Sequence, residues 1–133
     1  MKYFKLIMKV GFTAVFSAIS YLVGGFDLSV IVLCGFMAID YITGVIVAIT
    51  KNTVSSKQGA KGIAKKVLII FILITAVLLD RLISKDQWIF RTLVCCFYTA
   101  NEGISIIENA ASLGIPIPKK LKEILIQLNN DNN

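Results

Sequence analysis

Three ionisable residues, Asp40 and Glu102 near mid-run and Arg91 near the outer end of its run, stand inside long apolar stretches, and they define what chemistry this sequence could do. Charges in such surroundings pair with one another, take up a proton or line a water-filled path. Acid–base or nucleophilic catalysis has little to work with. The chain has no His, so the commonest general base and zinc ligand are both missing. Its Ser and Cys residues have no base nearby in sequence. Glu102 and Glu108 are six residues apart, well over one helical turn, and make no close acid–base dyad. Cys34, Cys95 and Cys96 lie in apolar surroundings without a C-x-x-C spacing, which reads as packing. No metal, cofactor or catalytic residue is expected.

The most informative spacing lies in residues 91–112. Arg91, Cys95, Tyr98, Glu102, Ser105, Asn109 and Ser112 follow at intervals of 4, 3, 4, 3, 4 and 3, which stacks them on one helical face. The opposite face carries Leu93, Phe97, Ala100, Ile104, Ile107 and Ala111. A helix of this kind can line a pore in an oligomer, hide its polar face inside a bundle or lie flat at the membrane surface. Asp40, with Thr43 and Gly44 on or beside its face, is either a helix–helix hydrogen-bonding residue or a determinant of a pore or an assembly.

The elements that must position these residues are apolar runs. In 133 residues, 56% are hydrophobic and 17% charged, with a mean hydropathy of +0.79. Soluble domains are nearer 45–50% and about 25%, so the chain belongs with membrane proteins. A spanning helix needs about 20 mostly apolar residues. The runs predict helices at about 5–23, 28–49, 63–83 and 88–114, in one domain over 1–133. A basic loop at 51–66 and a polar tail at 119–133, with a Lys-rich amphipathic stretch at 119–128, complete it. No repeat or phosphate-binding glycine loop is present. The first run is preceded by Lys2 and Lys5, but no small-residue cleavage site follows it, so it reads as a span rather than a signal peptide.

The net charge is +6, from 14 Lys+Arg against 8 Asp+Glu. The basic residues cluster between apolar runs, which points to lipid headgroups and topology rather than nucleic acid. Lys51, Lys57, Lys61, Lys65 and Lys66 fall in the 51–66 loop without an acid. Arg81 and Lys85 in the next break are offset by Asp80 and Asp86. Lys2, Lys5, Lys119, Lys120 and Lys122 flank the two ends. The alternation fits an all-α integral membrane bundle of four spans with both termini cytoplasmic. With the last segment at the interface the count falls to three.

Three stretches carry a resemblance. They are Asp40-Tyr41-Ile42-Thr43-Gly44, the basic string at 55–66, and the C-terminal third, where Asn101-Glu102-Gly103 and Glu108-Asn109 precede Gly114-Ile115-Pro116-Ile117-Pro118-Lys119-Lys120-Leu121-Lys122. Together they closely resemble the toxin-secretion/phage-lysis holin family of Gram-positive bacteria and their phages. The resemblance extends from about residue 36 to residue 122. It implies a multi-pass protein of the bacterial cytoplasmic membrane that forms homo-oligomers and opens lesions releasing an endolysin or a toxin. Asp40 and Gly44 match its second-helix motif. Glu102, Ser105, Glu108, Asn109, Gly114, Pro116 and Pro118 match its C-terminal motif. The family supplies no catalytic residues. From other classes, a small multidrug transporter or ion channel and an antiholin-type regulator have comparable size and helix content. A proton-coupled transporter would be expected to hold a carboxylate in its first helix, where this chain has Lys9 and no acid.

Overall fold

In a computed structural model, residues 1–83 and 87–131 are described. They form five helices: α1 (Lys2–Val23), α2 (Leu28–Thr50), α3 (Ser56–Ile83), α4 (Ile89–Ser112) and α5 (Lys119–Asp131). There is no strand among the described residues. By length and composition α1, α2 and α3 can cross a membrane. The 24-residue α4 is long enough, but it carries Arg91, Glu102 and Glu108 and is not apolar enough to join them. Lys85 and Asp86, used in the charge count of the third break, lie outside the described residues.

The boundaries follow from local chemistry. α1 stops at Gly24, whose φ of 78° is left-handed, and the N–H of Gly25 closes onto the Ser20 carbonyl at 2.7 Å. Glycine takes this conformation without the Cβ cost that other residues carry. Asp27 then caps α2 by accepting from the Val30 N–H at 3.3 Å. At the far end of α4, Gly114 adopts φ 83° and the Ile115 N–H bonds to the Ala110 carbonyl. Pro116 and Pro118 separate α4 from α5.

Two expected boundaries are corrected. The basic stretch 51–66 is a loop only to residue 55, because α3 starts at Ser56 rather than at residue 63. Ser55 Oγ accepts the Gln58 N–H at 3.4 Å. The run Ser55-Ser56-Lys57-Gln58 has the S-x-x-Q form of a capping box, a helix start hidden among the lysines. The C-terminal segment is likewise helical from Lys119 to Asp131 rather than only to residue 128.

The buried core joins Val30, Leu33 and Met37 of α2 to Ile69, Leu73 and Val77 of α3 and Cys95 of α4. α2 against α4 is the most extensive helix pair, and α4 also packs on α3 and α5. Leu125 of α5 and Phe36 of α2 meet at Gly103, where an added Cβ would come within 3.1 and 3.2 Å of them. α5 therefore folds back along α4. α1 stands apart, resting on α3 near its C-terminal end, and Val23 is its only buried residue.

Candidate functional site: two charge clusters between the helices

The polar face of α4 turns inward and meets charged partners at two levels. At the first level Arg91, only 2% exposed, donates five hydrogen bonds. Its Nε reaches the Val23 carbonyl at 2.8 Å and its Nη2 the Gly25 carbonyl at 2.9 Å. Nη1 and Nη2 grip the two oxygens of Asp27 at 2.8 and 2.9 Å, and Nη1 also approaches Ser29 Oγ at 3.5 Å. This two-pronged grip is the fork geometry in which guanidinium matches carboxylate. It holds the Asp27 carboxyl well below the usual carboxylate range, mainly through the hydrogen bonds from Arg91. One side chain thus ties together the end of α1, the connection after it and the start of α2. A Cβ at Gly24 would come within 2.7 Å of Arg91 Nε, so the small residue is needed for fit as well as for its φ.

Asp80 completes this level from α3. It is 1% exposed, and its two oxygens accept the N–H groups of Ile89, Phe90 and Arg91 at 3.1, 2.9 and 2.8 Å. Trp88, at the N-cap position, supplies no side-chain bond. A carboxylate from the preceding helix therefore satisfies the free N–H groups of α4 and faces the positive end of its dipole. Beside it, the Arg81 guanidinium lies 3.7 Å from the centre of the Tyr21 ring.

At the second level Lys66 Nζ bridges Asp40 Oδ2, at 2.7 Å, and Glu102 Oε2. Asn109 Nδ2 donates to Thr43 Oγ1 at 3.0 Å and approaches Asp40 Oδ1 at 3.3 Å. The Thr43 hydroxyl donates to the Asp40 carbonyl at 3.0 Å. Helices α2, α3 and α4 are thereby joined through charged and amide groups. A groove of about 1010 Å³ opens beside the cluster, with Tyr98 and Ser105 of α4 on its wall.

Several sequence expectations change. Lys66 was expected at lipid headgroups with Lys51, Lys57, Lys61 and Lys65. Those four are exposed, but Lys66 turns inward, where two carboxylates supply what water would otherwise provide. Of the α4 stripe, Arg91, Cys95 and Glu102 are buried and Tyr98, Ser105 and Asn109 half-buried. Ser112 is exposed and bonds only to the Asn109 carbonyl, outside both clusters. Gly44 has no close approach to protect, since a Cβ there would sit 3.8 Å from Asn109. Asp27 and Asp80 were missed as members of the site. Asp27 carried a signal, an N-cap residue type directly before an apolar helix. Asp80 carried none, because its partners lie in the next helix.

Among the described residues no cluster of His, Cys, Asp and Glu is arranged to hold a metal. The paired charges join α2, α3 and α4, and α1, α2 and α3 are apolar enough to span a bilayer, so the chain is a helical membrane protein. It belongs to the bacteriophage holin family, which matches residues 17–130. An uncharacterized 14.9 kDa protein in the nagH 3′ region of Clostridium perfringens is 46% identical over 92% of this chain and 93% of its own length. An uncharacterized Listeria innocua protein is 37% identical over 92% of this chain and 86% of its own. A probable holin of Bacillus phage phi105 is 35% identical over 71% of this chain and 70% of its own. No solved structure matches the chain.

Proposed function

We propose that this chain acts as a holin: copies gather in the bacterial cytoplasmic membrane and open lesions that pass an endolysin or a toxin. Family membership supports the class of activity. The observation that carries the reading is the charged face of α4, neutralised inside a single chain by Asp27 and Lys66. A centrally placed charge costs about 2.5–3.5 kcal/mol on insertion scales. With Arg91 and Glu102 paired, α4 can enter the bilayer as a fourth helix, both termini cytoplasmic. In an assembly, Asp40, Thr43, Arg91, Cys95, Tyr98, Glu102, Ser105 and Asn109 could exchange these internal partners for water. The same polar face would then be closed in the single chain and open in the lesion.

The test is inducible expression with and without a cytoplasmic endolysin that lacks its own export signal, following turbidity and membrane potential. Abrupt depolarisation, with clearing only when endolysin is present, is the expected result. Depolarisation without endolysin release would leave a small channel, and unchanged potential at full membrane expression would reject the reading.

A further inference from the structure

Counted with both of its carboxylates ionised, the cluster around Lys66 is short of one positive charge. Asp40 and Glu102 are two carboxylates, and a single ammonium lies between them. The groove beside them is bounded by α2, the N-terminal half of α3 and α4. Lys65 also lines it, but that side chain is exposed and forms no ion pair with either carboxylate.

α1 has the opposite imbalance. Lys9 stands within an apolar helix, exposed, and makes no ion pair among the described residues. Thr13 and Ser17 continue its side of the helix, and the Thr13 hydroxyl donates to the Lys9 carbonyl at 2.9 Å. The depths match as well. In an up–down bundle the start of α1, the end of α2, the start of α3 and the end of α4 share one side of the membrane. Asp40, Lys66 and Glu102 each lie ten residues from that end of their helices, at Thr50, Ser56 and Ser112. Lys9 lies seven residues from Lys2. The difference is about 4.5 Å of helix rise, which a shift of the docked α1 along its own axis takes up. The chain's own α1 is held at its opposite end, by Val23, Tyr21 and a Phe16–Phe26 ring stack.

We propose that the groove receives α1 of a second copy of this chain, with Lys9 supplying the second cation to Asp40 and Glu102. An anionic lipid headgroup is a poor rival, because the buried end of the groove is already negative. Each copy offers one arm and one groove on different surfaces, so the contact is heterologous and repeats head to tail. This deepens the holin reading, on which its purpose rests, by naming the surface through which copies add.

The experiment uses two differently tagged full-length copies in bacterial membranes, with the native cysteines replaced. One carries Thr13→Cys and the other Asn101→Cys, a groove residue on α4. Each position lies eleven residues from the shared end of its helix. Oxidation is expected to give a crosslinked heterodimer. Lys9→Gln in the first copy should lower its yield about tenfold, the equivalent of about 1.4 kcal/mol of lost pairing, and Lys9→Arg should retain it. Equal membrane amounts of the three forms separate this loss from misfolding. No intermolecular crosslink, crosslinks only between copies that carry the same cysteine, or a yield indifferent to Lys9 would overturn the proposal. Membrane potential is read in the same cells. Depolarisation without the crosslink removes the docking and leaves the holin reading, whereas a Lys9-dependent crosslink without depolarisation does the reverse.

Discussion

α1 and α4 are of similar length and reverse each other's expected roles. α1 is apolar enough to span, yet it buries only Val23 against the rest of the chain. α4 is too polar to be counted among the apolar spans, yet it packs against α2, α3 and α5 and carries the most buried charges. Hydropathy measures preference for lipid over water, and it does not measure preference for one neighbour over another. Between helices in lipid, packing and polar pairing supply the specificity. The charges that make α4 a poor span are the groups that fasten it.

The contrast is sharpest at Lys66. Replacing it with Met leaves Asp40 and Glu102 facing each other without a cation. Breaking a buried pair in this way costs about 3–5 kcal/mol, and the variant should show the largest loss of unfolding temperature in detergent. Next is Arg91→Met, which removes five hydrogen bonds but leaves Asp27, 55% exposed, able to regain water. A loss of about 2–3 kcal/mol is expected, with protease cutting appearing first between α1 and α2. On α1 the expectation reverses. Phe12 is 74% exposed, so Phe12→Ala should change stability by no more than about 0.5 kcal/mol, as for surface substitutions elsewhere. A large loss there would erase the distinction between the two helices.

The smallest effect concerns pH. The grip of Arg91 lowers the Asp27 carboxyl below its ordinary value. Its stabilising contribution is therefore complete above the unfolded value of about 3.9 and is lost as pH falls through the lowered one. Asp27 should thus add no loss of unfolding temperature between neutral pH and about pH 5. Below that, wild type should lose the advantage it holds over Asp27→Asn. An advantage that fades already near neutral pH would mean the pair is not formed.

Much of this arrangement was legible in the sequence. The apolar runs gave the helices, and the alternating spacing from Arg91 to Asn109 gave the polar face of α4. Partners were harder to read, because each lies 9 to 69 residues away from the group it serves. Lys66 was grouped with its basic neighbours, since a charge run looks alike whether its last member faces headgroups or turns inward. The start of α3 is marked by the Ser55–Gln58 pair, a signal that the basic-loop reading of 51–66 did not use. Asp80 looked like part of a polar break, although it caps the helix beyond it.

The central claim is that the polar face of α4 is enclosed within the resting chain. The direct measurement is labelling of Cys95 by a water-soluble maleimide in membranes, with Cys34 and Cys96 replaced, before and after the onset of lysis. Cys95 is 2% exposed, so it should resist labelling at rest and react once lesions open. Equal reactivity in the two states would contradict the account.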